Sequence, residues 1–196
     1  DWDPTIKLQR YNVRSNVDLK LSPTTQLRFN IGGYLQDRNS TTKDISQIFQ
    51  KAFVAVPHAF PAQYSSGQIP TTEEPNVWAW ATQSGYKRRS DSKIETLFSV
   101  EQDLKFLLLG LKIKGTFSFD RFSSGTVSRG KTPDYYVPAT GRDDEGNLII
   151  ASKSNGTNFL DYSKSGDYGN KSVYMEATLS YDRTFAEKHS VAAMLL

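Results

Sequence analysis

Apolar and polar residues alternate with a period of two in several stretches of this chain, the pattern of β-strands whose two faces meet different surroundings. From Tyr11 to Leu21, the residues Tyr11, Val13, Val17, Leu19 and Leu21 fall on one face and Asn12, Arg14, Asn16, Asp18 and Lys20 on the other. Beyond a Ser22-Pro23-Thr24-Thr25 turn, Leu27, Phe29, Ile31 and Leu35 continue the apolar side while Gln26, Arg28, Asn30 and Gln36 continue the polar one. Gly32-Gly33 predicts a bulge or a close backbone approach. The pattern returns twice. Ile94, Thr96, Phe98 and Val100 alternate with Glu95, Leu97, Ser99 and Glu101, and Leu111, Ile113, Phe117 and Phe119 alternate with Lys112, Lys114, Thr116, Ser118 and Asp120. Val173, Met175, Ala177, Leu179 and Tyr181 then alternate with Tyr174, Glu176, Thr178, Ser180 and Asp182, and Val191, Ala193 and Leu195 begin a last strand.

Six strands are expected, near 9–21, 26–37, 93–104, 111–122, 172–184 and 190–196, joined by short, long, short, long and short connections. In an up-and-down antiparallel array the connections alternate between the two ends of the strands. The short turns therefore share one end, and the long loops, near 38–92 and 123–171, share the other. Strands of about 9–11 residues with contrasting faces, and loops long at one end only, are features of an outer-membrane β-barrel. The expected fold class is all-β: an antiparallel up-and-down transmembrane β-barrel segment, with one long loop carrying a short helix. Val13, Val17, Leu19, Phe29, Ile31, Phe98, Phe117, Phe119 and Leu179 would face lipid. Arg14, Asp18, Arg28, Glu95, Glu101, Lys112, Lys114, Asp120 and Glu176 would face the lumen, where ion pairing with one another or with a plug accounts for them better than contact with cargo. Tyr11, Phe119, Tyr181 and Phe185 are expected at strand ends, as an aromatic girdle. A soluble antiparallel sheet with one wet face and one face on a small core shows the same alternation, and that alternative stays open.

Composition narrows the choice. The chain has 196 residues and is 37% hydrophobic, with a mean hydropathy of −0.53, lean for a large dry core. Its 24 basic and 21 acidic residues are interspersed, so the net charge of +3 forms no stripe of the kind nucleic acid requires. There is no cysteine, hence no disulfide framework and no thiolate metal site. No apolar run is long enough for a transmembrane helix, which leaves transmembrane strands untouched. Asp1-Trp2-Asp3-Pro4 has neither a basic nor an apolar leader region, and Ala192-Ala193-Met194-Leu195-Leu196 stops within a strand pattern. The expectation is an internal piece of a longer polypeptide. A single-chain barrel needs at least about 8 strands, so six would need neighbours.

The loops hold the remaining candidates. Ile45, Ile48, Phe49, Ala52, Phe53 and Val56 fall at helical spacing, with a capping box from Thr41 and Asp44 at the start and Pro57 and Pro61 as stops. That helix is expected to bury its apolar stripe against its own loop. Trp78, Trp80 and Tyr86 in the first loop, and Tyr135 and Tyr136 in the second, are the candidate ligand contacts, since aromatic faces suit sugar C–H surfaces and peptide side chains. Tyr162 and Tyr168 are weaker candidates of the same kind, and packing anchors are the alternative for all of them. Asp143-Asp144-Glu145-Gly146-Asn147 reads as a tight turn with Gly146-Asn147 at the bend; its spacing departs from a calcium loop, and no metal or cofactor is expected. Gly125, Gly130 and Gly141 form no phosphate-binding fingerprint. His58 and His189 belong to no catalytic motif, so the chain is not expected to be an enzyme.

Four stretches, "RYNVRSNVDLKLSPTTQLRFNIGGYLQDRN", "IFQKAFVAVPHAFPAQYSSGQIP", "VWAWATQSGY" and "FSVEQDLKFLLLGLKIKGTFSFDRF", together resemble the barrel of the SusC/RagA-type TonB-linked outer-membrane transporters. The similarity extends over nearly the whole chain and includes the order of strands and loops. It implies a location in the bacterial outer membrane and active import of glycans or peptides. The implied partners are a SusD-like surface lipoprotein, outer-membrane lipid, and the TonB complex through an N-terminal part that this chain lacks together with the plug domain. The alternative function is a soluble β-rich module that binds carbohydrate or protein through its aromatic loops.

Overall fold

The computed structural model describes residues 6–196; Asp1-Trp2-Asp3-Pro4 and Thr5 lie outside the described residues. In chain order the elements are β1 (Lys7–Ser22), β2 (Thr25–Thr41), α1 (Ile45–Val54), β3 (Ile69–Pro70), α2 (Val77–Thr82), β4 (Gly85–Asp103), β5 (Leu111–Gly130), β6 (Tyr135–Tyr136), β7 (Ser152–Ser154), β8 (Asp161–Phe185) and β9 (His189–Leu195). The fold is mostly β, with 59% of the described residues in strands and 8% in helices. Its long strands form one mostly antiparallel six-stranded sheet in the order β1-β2-β4-β5-β8-β9. Each long strand thus lies beside its predecessor with no crossover. The sheet is open, and no closed barrel forms among the described residues. No described helix is long and apolar enough to cross a membrane.

The chain divides into two compact units, and the long strands contribute residues to both. One unit comprises Arg10–Gln36, Asp91–Ser124 and Tyr168–Leu196. Here the three short turns are tied to the strands beside them. Ser22 Oγ lies 2.7 Å from Thr25 Oγ1 across the β1–β2 turn, and Asp103 N donates to Thr24 O at 2.7 Å. The β4–β5 turn closes through Leu104 N to Leu111 O, and Asp182 N donates to Gly110 O at 2.9 Å. β8 and β9 pair antiparallel from Phe185 opposite His189 to Leu179 opposite Leu195. Gly33 answers the expectation of a close approach, since a Cβ there would sit 2.1 Å from Lys93 O.

The cross-strand contacts in this unit place the charged side chains on one face. Arg28 Nε meets Asp18 Oδ1 at 2.9 Å from β2 to β1, and Lys112 Nζ meets Glu101 Oε1 at 3.6 Å from β5 to β4. The Arg10 guanidinium lies 4.0 Å from the Tyr34 ring centre. Strand geometry sends the alternate residues to the other side. There Val13, Val17, Leu19, Phe29, Phe98, Phe117 and Leu179 are all exposed, Val13 to 66%. The buried apolar side chains among the described residues are Ile69, Pro70, Ala79 and Pro133, all in the other unit. The apolar face of the sheet therefore has no core of its own.

The other unit comprises Asp37–Ser90 and Gly125–Asp167 with the described residues before Arg10. Its loops meet in a second sheet, β3-β6-β7, with β3 parallel to β6 (Ile69 opposite Tyr135) and β6 antiparallel to β7. Several strands run further into the expected loops than the alternation predicts: β2 ends at Thr41, β4 begins at Gly85, β5 ends at Gly130 and β8 begins at Asp161. The reason is in the sequence of these extensions. Lys87-Arg88-Arg89-Ser90, Ser128-Arg129-Gly130 and Ser163-Lys164-Ser165-Gly166 are polar on both faces, so backbone pairing forms a strand without an apolar period to announce it. In consequence Phe119 lies well inside β5 rather than at a strand end, with Lys171 Nζ 5.7 Å from its ring centre.

The helix α1 forms where expected, but Asp44 is its N-cap, accepting from Ser46 N at 2.8 Å and Gln47 N at 3.3 Å. Thr41 Oγ1 donates instead to Lys43 O, so the expected capping box is replaced by a single Asp cap. Nor is the stripe covered, since no residue of α1 is buried and Phe53 is 86% exposed.

Gly110 has φ +90°, and a Cβ there would lie 2.2 Å from Asp182 O. Gly110→Ala is therefore expected to cost about 2–4 kcal/mol, from the left-handed backbone penalty plus the collision, whereas Gly115→Ala, which meets nothing within 4 Å, should be near neutral. Denaturant midpoints of the two variants check this; equal midpoints would contradict it.

Candidate functional site

Asn76 organises the loop unit. Its buried side chain accepts from Ala79 N at 3.0 Å, capping α2, and its Nδ2 donates to Ala62 O at 2.8 Å and Pro70 O at 2.9 Å. One amide thus starts a helix and joins it to the chain before and within β3. Trp78 and Trp80, expected in a loop, stand on this helix. Residues two apart on an α-helix point about 200° from each other, so the two indoles cannot serve one site. Both are half-buried, and Trp80 is the one that lines a cleft.

That cleft has a volume of about 320 Å³ and lies within the loop unit. Trp80 and Tyr135 supply its aromatic surface; Lys43, Lys131 and Asp161 supply charge. Its base is tied together by the Ser84 carbonyl, which accepts from Thr42 Oγ1 at 2.9 Å and Lys131 N at 3.1 Å. The Lys43 ammonium sits 5.3 Å from the Trp80 ring centre. Burial pushes the Tyr135 phenol above its ordinary pKa, so it remains a neutral O–H donor. An arrangement of ring faces, two lysines, one carboxylate and a phenol offers a ligand apolar contact, charge and hydrogen-bond donors. Sequence reasoning named Trp80 and Tyr135 but missed Lys43, Lys131 and Asp161, because only the meeting of the two long loops brings them together.

The other expected ligand residues lie elsewhere. Tyr86 is on β4 beside Arg88, whose Cζ is 6.0 Å from its ring centre. Tyr136, next to Tyr135 in β6, does not line the cleft, and its carbonyl accepts from Thr71 N. Tyr162 and Tyr168 belong to β8 rather than to a loop, the first under Arg129 at 4.8 Å and the second 6.0 Å from the Phe122 ring.

The charged sheet face carries the nine expected lumen residues. Arg14, Glu95 and Asp120 border one cleft of about 670 Å³, together with Arg10, Tyr34 and Lys93. Glu101 and Lys112 border a smaller one of about 280 Å³ beside the Ser22–Thr25 turn. Asp18 and Arg28 pair with each other; Glu176 accepts from Thr178 Oγ1 and from Tyr174, with Lys114 within electrostatic reach. On the opposite face, Ile31 and Phe119 are half-buried while the other seven residues expected to face lipid are exposed.

The Asp143 region forms a turn in which Gly146 N donates to Asp143 O and Gly146 has φ +86°, so the bend centres on Asp144-Glu145 rather than Gly146-Asn147. The Asp143 carboxylate accepts from Asn147 N at 2.8 Å and Glu145 N at 3.0 Å. These amides occupy it, and among the described residues no group of three His, Asp or Glu side chains could hold a metal ion.

Compared with known proteins, the chain matches no family model and no curated sequence.

Two outcomes follow from this geometry. Asn76→Ala leaves the buried Pro70 carbonyl, the Ala62 carbonyl and one helix-start amide without their Asn76 partner, and is expected to destabilise the loop unit by about 2 kcal/mol, read as faster hydrogen exchange at Ala79; unchanged exchange would contradict it. Asp143 is held below the ordinary carboxylate pKa, chiefly by the Asn147 amide. Its contribution to the turn is therefore present above the unfolded carboxylate value and lost as pH falls through the lowered one. An NMR titration of the Asn147 amide should show its inflection below the ordinary Asp range; an inflection within that range would contradict the assignment.

Proposed function

We propose that this chain is a section of the wall of an outer-membrane β-barrel, and that the whole barrel is a TonB-dependent importer of the SusC/RagA type. One observation carries the proposal: a six-stranded up-and-down sheet has a continuous exposed apolar face backed by a charged face, and nothing within the sheet's own unit covers the apolar side. Water would penalise such a face over its whole area. Lipid removes that penalty. The paired charges of the other face suit a wet lumen, where ionisable groups find partners or water.

In this reading the apolar band extends from the short turns to about the level of Tyr11, Phe119 and Lys171, and the doubly polar extensions of β4, β5 and β8 stand in external water. β8, with 25 residues, is more than twice as long as the ~9–11 residues that cross a bilayer. The resemblance to SusC/RagA barrels supplies the importing function, the lipoprotein lid and the TonB coupling. Additional strands would pair with the open edges at β1 and β9, since closure needs at least about 8 strands.

Fractionation tests the location. The chain, in the cells that make it, is expected with the outer membrane after alkaline washing, and external protease should cut the exposed segment near His58–Gly67. A soluble, monodisperse chain without detergent would overturn the barrel and favour a soluble binding module. Substitution gives a second check. Val17→Arg, midway between Tyr11 and the Ser22–Thr25 turn on β1, should cost about 2–4 kcal/mol if the side chain meets mid-bilayer lipid, but within about 0.5 kcal/mol if it meets water.

A further inference from the structure

We infer that the cleft between α2 and β6 is a binding site for an acidic oligosaccharide, with Lys43 and Lys131 receiving the sugar's anionic group and Trp80 and Tyr135 its apolar ring face. The inference names a cargo class for the loops of the proposed importer and rests on that reading for its biological meaning.

Three features of the cleft support this. Its volume, about 320 Å³, is within the size range of small-molecule sites. Among the described residues neither Lys43 nor Lys131 forms an ion pair with a carboxylate, and the Lys43 ammonium lies 5.3 Å from the Trp80 ring centre. Two unpaired cations against a single carboxylate leave the cleft with a net positive charge, which favours an anionic ligand. The Tyr135 phenol, kept neutral, adds a donor for a ring hydroxyl or ring oxygen beside the apolar indole. Aromatic side chains with this mixed character match the alternating C–H and hydroxyl surfaces of a sugar ring.

A peptide fits less well. Extended peptides are held largely by adding a strand to an open sheet edge, but β6, which brings Tyr135 to the cleft, is already paired with β3 on one side and β7 on the other. Recognition here has to come from side chains, as it does for a saccharide. Asp161 has a definite role in the account: as the single carboxylate of the wall it opposes an anionic ligand and would discriminate against highly charged ones.

The test is a titration of the whole protein in detergent, read by tryptophan fluorescence and by calorimetry. The probes are trigalacturonate, its methyl ester, a sulfated galactose trisaccharide, and a tripeptide with a free C-terminus. Binding of trigalacturonate or of the sulfated sugar, with the ester at least about tenfold weaker, is expected, since a charged hydrogen bond or ion pair is lost. Which of the two binds identifies the anionic group as carboxylate or sulfate. Lys43→Ala and Lys131→Ala should each weaken binding by about tenfold, and higher salt should weaken it further. Asp161→Asn should tighten it, a change that a purely structural role would not produce. Equal affinity for the ester, preference for the tripeptide, or no binding of either acidic sugar would overturn the inference. Because membrane location is read separately by fractionation, failure here leaves the barrel proposal intact, and a soluble chain that still binds trigalacturonate retains the site.

Discussion

The period-two geometry of the β-strand governs everything else in this protein. Successive side chains must leave opposite faces, so a strand that alternates Val, Leu and Phe with Arg, Asp and Lys commits the sheet to one apolar and one charged surface. Pairing then multiplies that commitment across six strands, because the ion pairs Asp18–Arg28 and Glu101–Lys112 align the polar faces of neighbours. Individually such exposed pairs add little stability. Their consequence is registry: with the charges on one side, Val13, Phe29, Phe98 and Phe117 have no choice but to share the other.

The two units solve the packing problem in different ways. In the loop unit a small interior forms around Ile69, Ala79 and the amide of Asn76, where hydrogen bonds replace apolar volume. In the sheet unit no apolar interior forms, its buried side chains being Asp91, Ser99 and Ser124, and its order comes from backbone ladders and turn closure. A face of that kind is a demand on the surroundings, and the proposed bilayer meets it. The doubly polar ends of β4, β5 and β8 make no such demand. They mark where the apolar band stops.

Legibility in the sequence followed the same physics. The six strands and the three short turns could be read because alternation is visible wherever one face is apolar, as from Val173 to Tyr181. The reading failed at Lys87–Ser90 and Ser163–Gly166, where both faces are polar and strand formation depends on partners distant in sequence. α1 was legible from its period, but its cap was displaced because Asp44 reaches the helix amides directly and leaves Thr41 to the chain beside it. The cleft was half legible: Trp80 and Tyr135 were identifiable as aromatic loop residues, whereas the pairing of β3 with β6 that assembles the two loops leaves no local pattern. Trp78 was grouped with Trp80 only because a loop was assumed; a helix separates their directions.

The measurement that tests the central claim most directly is made possible by the absence of cysteine from the chain. Single cysteines introduced in turn at residues 12 to 19 of β1 would be spin-labelled in lipid, and collision with oxygen compared with collision with a water-soluble nickel reagent. The account predicts a period of two, with labels at Val13, Val17 and Leu19 favouring oxygen and those at Asn12, Arg14 and Asn16 favouring nickel. Equal access of the nickel reagent to both faces would mean that the apolar surface meets water or another protein, and would contradict the membrane wall.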